Sequence, residues 1–307
     1  MFPILAMKIL IMAIFAMGYN IIFGYGGLLA FGHAAFFGTA SYIAAHMAAV
    51  WGVPPEFCLL AGVAGSSVLG LLFGWLAIRR QGLYFAMITL ALAQIVYFYA
   101  VQASWTHGED GIQSVPRGVF LGLVDLSRPL GMYFTILAFF LAAFVFVYRV
   151  VHSPFGQTLK SIRESEQRSV SLGYSVNNFK LIAFVLSAAL AGLAGGLNAI
   201  VFQIASLSDV YFMNSANALL MTLIGGVGTL LGPIVGAAVL VTLETRLATF
   251  GSWVVVMQGL IFVLCVLFLR KGIIGTLQEY ASNRRIRRNL EAQAATQTPG
   301  KPAEVAP

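Results

Sequence analysis

The chain has 307 residues, 59% of them apolar and only 9% charged, with a mean hydropathy of +0.88. Ordinary soluble domains carry about 25% charged residues, so a water-soluble globule is excluded. The net charge of +7 does not indicate a nucleic-acid partner, because it is confined to two stretches: residues 149–180 hold five basic and two acidic side chains, the stretch from Arg270 onward holds seven and three, and the remainder is balanced.

A membrane-crossing helix needs about 20 mainly apolar residues. Stretches free of Asp, Glu, Lys and Arg, divided at His33, run over 9–32, 34–55, 57–78, 81–108, 129–148, 181–208, 210–243 and 247–269. The first has Lys8 as its one early charge and stays apolar to Phe31, so it reads as a retained span and not as a cleaved signal. The stretch 210–243 is long enough to cross twice and is interrupted by Gly225-Gly226-Val227-Gly228 and by Gly232-Pro233. The expected fold is therefore all-α and polytopic, with eight or nine transmembrane helices and glycine-broken segments.

Lys and Arg in short loops mark the cytoplasmic side. Arg79-Arg80, the 149–180 loop and the C-terminal tail are expected inside, and the loops 104–128 and 204–214 outside. Counting back from Arg79 through full spans places the N-terminus outside. The membrane domain is drawn as 1–277 and the basic tail as 278–307, disordered for want of apolar surface after Leu290. Arg284, Arg285, Arg287 and Arg288 stand near the last span, where each gains about 1 kcal/mol beside anionic membrane lipids.

Residues 153–173 form the one sizeable polar segment between spans with the design of a helix. Ser153 suits an N-cap, Pro154 the first turn, and Gly173 a left-handed stop. Phe155, Leu159 and Ile162 share a face while Lys160, Arg163, Glu164 and Arg168 stay polar, the pattern of a helix pressed against a partner protein or the membrane surface.

Two glycine clusters, Gly24, Gly26, Gly27, Gly32 and Gly38, then Gly225, Gly226, Gly228, Gly232 and Gly236, suit either close helix packing or broken helices beside a path. On the second alternative the candidates for the translocation path are Gly26, Gly27, Gly32, His33, Gly225, Gly226, Gly228 and Gly232. His33 fits function and packing equally. Asn20, Thr89, Asn198 and Gln203 suit either a path lining or hydrogen bonds between helices, and the second is the favoured reading for each.

Catalysis finds no support. GxxxxGK[ST], HExxH and GxSxG are all absent from the sequence, as are CxxC pairs and histidines at zinc spacing around Cys58 and Cys265, so no cofactor or metal is expected. A proton-driven carrier would place several acidic or histidine residues deep in its spans, and few are present. Work against a gradient would need energy from another subunit, with 153–173 as the place to receive it.

The run Gly24-Tyr-Gly-Gly-Leu-Leu-Ala-Phe-Gly-His-Ala-Ala-Phe-Phe-Gly38 resembles the glycine-histidine motif of branched-chain amino acid ABC transporter permeases of the LivM type. Four further blocks agree in order: Gly82–Leu90, Ser153–Gly156 leading to Ile162-Arg163-Glu164 and Leu172-Gly173, Phe184–Gly196, and Gly225–Pro233. The resemblance implies a multi-pass inner-membrane subunit with a cytoplasmic C-terminus. It also implies a second, LivH-like permease chain, two cytoplasmic ATPases and a periplasmic solute-binding protein. Ser153–Gly173 would then be the coupling segment: Gly156, Leu159 and Gly173 belong to it, Phe155 and Ile162 enter a groove on the ATPase, and Arg163 and Glu164 fix register. Ala30, His107 and Ser169 depart from the family pattern. Branched-chain or other hydrophobic amino acids are the expected solutes, with urea or short amides as the alternative within the family. An autonomous carrier and a membrane enzyme are the readings from other classes.

Overall fold

The computed structural model describes residues 2–120, 122, 124–247, 259 and 272–276. Five helices are long and apolar enough to cross a membrane: α1 (Phe2–Asn20, continued by a π-helical turn over Ile21–Tyr25), α3 (Pro55–Ala77), α4 (Leu83–Gln102), α5 (Pro129–His152) and α8 (Val176–Phe202). Three shorter helices stand among them: α2 (His33–Ala49), α10 (Phe212–Gly225) and α11 (Gly232–Leu247). The 210–243 stretch thus contains two helices separated at the expected glycines. The 247–269 run lies outside the described residues except for Leu247 and Gly259, and so does the tail 278–307.

Glycine, alanine and serine on α8 let neighbouring backbones approach closely, as helices in lipid require. Gly195 faces the Phe37 carbonyl of α2, Gly192 faces Ser66 of α3, and Gly18 of α1 lies against Leu190. The helix α8 is accordingly the best buried of the long spans, with α1 next. The helices α4 and α5 are peripheral and turn Ile95, Phe98, Leu130 and Phe134 outward.

The two ends of the bundle differ in charge. One carries Arg79, Arg80 and the polar helices α6 (Pro154–Glu164) and α7 (Glu166–Ser171). The other carries Glu56, Glu109, Asp110 and Asp125 and the short helix α9 (Leu207–Val210). The 104–128 loop, read from sequence only as a connection, is pinned by two short antiparallel pairs. In one, β1 (Ile112–Gln113) joins β4 (Ile204–Ala205); in the other, β2 (Val119–Phe120) joins β3 (Val124–Asp125).

A methyl group on Gly195 has no room against the α2 backbone. Gly195→Ala is expected to destabilise the chain by about 1–3 kcal/mol, read as a lower midpoint for thermal aggregation in detergent.

Candidate functional site

The segment 153–173 folds as its caps dictate. The Ser153 hydroxyl accepts from the Gly156 N–H at 3.3 Å and opens α6. The Ser165 hydroxyl accepts from the Arg168 N–H at 3.4 Å and opens α7, a break that the sequence pattern does not announce. Gly173 follows with φ +86°.

The apolar face of α6 points into this chain. Leu159 and Ile162 are 1% and 2% exposed, Gly156 tucks against the Val150 and Val151 carbonyls, and Phe155 stacks on Phe179 at 5.6 Å. Burial thus corrects the expected outward role of Ile162, whose side chain is spent on its own bundle. Facing outward instead are Glu164 and Arg168, with Val170, Leu172 and Tyr174 at 57%, 70% and 45% exposure. Behind them the Lys180 ammonium, 4% exposed, pairs with the Glu166 carboxylate at 2.7 Å and ties α7 to the start of α8.

Two cations of α6 reach the end of α1. The Lys160 ammonium lies 5.4 Å from the Tyr25 ring centroid, and the Arg163 guanidinium donates to the Gly24 carbonyl. The Arg163 stem needs the glycines around it: a Cβ on Gly27 would stand 2.9 Å from its Cγ, and one on Gly228 would stand 3.1 Å from its Nη1. Both glycines also hold positive φ, +70° and +74°. Asn20 joins the same junction, donating to the Thr229 carbonyl at 2.9 Å and accepting from the Gly228 N–H at 3.0 Å. The Thr229 hydroxyl donates to the Gly226 carbonyl and accepts from the Gly232 N–H at the start of α11. Three chain segments therefore meet at one point: α6, the π turn of α1 and the loop 226–231.

Of the glycines singled out from sequence as path candidates, all but Gly32 fall around this junction. Gly26 and Gly27 lie at the end of the π turn, Gly225, Gly226 and Gly232 pack backbone to backbone, and Gly32 sits against the Thr89 carbonyl and Phe73. His33 is fully buried among the rings of Tyr19, Phe36 and Phe184. The Ser187 hydroxyl donates to the Gly18 carbonyl at 2.5 Å, so its oxygen accepts from His33 Nε2 at 2.7 Å, and the network assigns the proton to Nε2. His33 joins α1, α2 and α8. Asn20, Thr89 and Gln203 bond not to other helices but to the loop residues Thr229 and Gly228, Phe31 and Val115, and Asn198 bonds Asp209 at the opposite end of the bundle.

At the opposite end a cavity of about 680 Å³ opens between α1, α8 and α10. None of the eight residues that the sequence offers as path candidates lines it. Its walls carry Asn198, Asp209, Asn214 and Asn217, and its apolar lining includes Met12, Phe202 and Met221. Asp209 accepts from the Ser41 hydroxyl at 3.0 Å, the Ser206 N–H at 3.3 Å and the Asn198 amide at 3.4 Å. Burial pushes its carboxyl up to about 6, against those neutral donors, which favour the ionised form. The sequence offered one signal for this site: Asp209 is the single charge between Lys180 and Glu244.

Residues 2–268 match the family model described as branched-chain amino acid transport system / permease component. The high-affinity branched-chain amino acid transport system permease protein LivM of Salmonella typhimurium is 29% identical over 88% of this chain and 69% of its own length. LivM of Escherichia coli is 28% identical over 86% and 68%. The high-affinity branched-chain amino acid transport system permease protein BraD of Pseudomonas aeruginosa is 27% identical over 86% of this chain and 91% of its own length. No solved structure matches the chain.

Ser187→Ala leaves the buried His33 Nε2–H and Gly18 carbonyl without their shared partner. The expected cost is about 1–3 kcal/mol, seen as a reduced thermal midpoint of the purified chain.

Proposed function

The chain belongs to the family of branched-chain amino acid transport permease components, and we propose that it is the membrane-spanning subunit of an ATP-driven importer for branched-chain or other apolar amino acids. The observation that carries the mechanism is the Arg163 junction, where a polar surface segment is fastened to both glycine breaks.

In this reading the basic end, with Arg79, Arg80, α6 and α7, faces the cytoplasm, and the acidic end faces a periplasmic solute-binding protein. Eight spans then lie within the described residues, α1 to α5, α8, α10 and α11, and the 247–269 run would add a ninth. With no phosphate-binding motif of its own, the chain takes its energy from two ATPase subunits and shares the path with a second, related permease chain. Glu164, Arg168 and Val170 of α6 and α7, with Leu172 just after them, are the residues offered to the ATPase, while Leu159 and Ile162 hold the segment to its own bundle. Closure of the ATPases moves α6. Arg163 and Lys160 transmit the movement to the end of α1 and the loop 226–231, shifting the population toward the arrangement open on the other side. No covalent chemistry takes place in this chain.

The test is purification of the tagged chain from its native membrane in mild detergent, with identification of bound subunits, hydrolysis assays and leucine uptake. An ATPase and a second permease chain are expected to accompany it. Leu172→Asp is expected to lower the bound ATPase at least fivefold. Arg163→Gln is expected to retain the complex and its hydrolysis while lowering leucine uptake at least tenfold. A chain that purifies with no nucleotide-hydrolysing partner, under conditions that preserve other such complexes, defeats the importer reading.

A further inference from the structure

The cavity at the acidic end is chemically unlike the tightly packed glycine junction. It has the size of a small-molecule site, which ranges over about 300–1,000 Å³, and its lining is of mixed character. Amide and carboxylate groups of α8, α9 and α10, together with Lys8 of α1 and Glu244 of α11, share it with the apolar side chains of Met12, Phe202 and Met221. Methionine adapts to apolar bodies of different outline.

Asp209 has an unusual set of partners. All three hydrogen bonds it accepts come from neutral donors, and among the described residues it takes part in no ion pair. A carboxylate offers about four lone-pair sites, so one remains for a further donor. These bonds hold the group by α2, α8 and the start of α9, so a donor arriving in the cavity meets a fixed acceptor. Lys8 also lines the cavity. Its ammonium stands 3.8 Å from the Glu244 carboxylate, longer than the 2.7–2.9 Å of a charge-assisted hydrogen bond, and retains donors for a second anion.

We propose that this cavity is a solute-binding vestibule in which Asp209 receives the ammonium of a zwitterionic apolar amino acid. The solute carboxylate turns toward Lys8 and the amide of Asn214, and the side chain lies on Met12, Phe202 and Met221. The proposal rests on the importer reading and places the solute in this chain at the side where the binding protein delivers it. The glycine junction then serves as transmission and not as the solute site.

The test uses the assembled complex in detergent, carrying Met213→Cys as a reporter on the cavity rim in a chain whose Cys58 and Cys265 are replaced by alanine. Leucine is expected to protect the reporter thiol from a water-soluble thiol reagent, and 4-methylpentanoate, which lacks the ammonium, is expected not to. Asp209→Asn keeps a hydrogen-bonding group of the same shape and should raise the half-protecting leucine concentration at least tenfold. If Asp209→Asn does not assemble, Met221→Trp, which fills the cavity from its apolar side, is the variant to read; it should abolish protection in the assembled complex. Equal protection by leucine and 4-methylpentanoate overturns the assignment, as does unchanged protection in the variant that assembles. Leucine uptake by the parent complex separates the two levels. Uptake without protection defeats the vestibule alone, and a parent that moves no amino acid defeats the importer reading beneath it.

Discussion

A peptide group held away from water must find its hydrogen-bond partner within the protein, and among the described residues the backbone leaves the helix at two glycine-rich places where packed helices meet. After Tyr25 the backbone runs without regular structure to Gly32, with Leu28, Ala30 and Gly32 buried. After Gly225 it does so again before α11. In the first break the Thr89 hydroxyl accepts from the Phe31 N–H and the N–H groups of Gly26, Gly27 and Leu28 turn back to the π turn; in the second the Asn20 amide and the Thr229 hydroxyl serve the loop, while the Arg163 guanidinium donates to the Gly24 carbonyl between them. The Asn20 amide meets one N–H and one carbonyl of the loop, as a neighbouring strand would. The arginine comes from a surface helix, so the hydrogen bonding of the Gly24 carbonyl depends on where that surface helix sits.

This dependence explains why α6 turns its apolar face inward. If Leu159 and Ile162 were reserved for another protein, α6 would be free to drift and the Gly24 carbonyl would lose its donor. Anchored by those two side chains, by the Phe155–Phe179 stack and, through α7, by the Lys180–Glu166 pair, the segment keeps a fixed relation to α1 and α8. It still presents an outward surface of mixed apolar and charged character. One short element thus has two faces with separate duties.

The broad architecture was legible in composition. Among the described residues the charge-free runs coincide with the five long apolar helices and with α2, α10 and α11, the Gly225–Gly232 interruption separates α10 from α11, and Ser153 with Pro154 marks the start of α6. Hydrophobic periodicity shows that a face is buried but not against what, so the direction of Ile162 lay beyond it. The second cap at Ser165 carries no such signal, because no apolar run follows it. The cavity around Asp209 was harder still, since its walls come from residues as distant as Met12 and Met221. The glycine clusters illustrate the converse: glycine marks close backbone approach, and here most of that approach is packing and junction geometry.

The π turn at Ile21–Tyr25 gives α1 an unusual kind of adjustability. A π turn accommodates one residue more than the α-helix does over the same length, and each residue of α-helix advances about 1.5 Å and turns by about 100°. Rewinding the turn into regular α geometry would therefore swing the Gly24 carbonyl through roughly a quarter revolution and carry it off the guanidinium that holds it. The winding phase of the first span and the grip of Arg163 are one variable, so a rotation at the surface and a change of twist inside the bundle require each other.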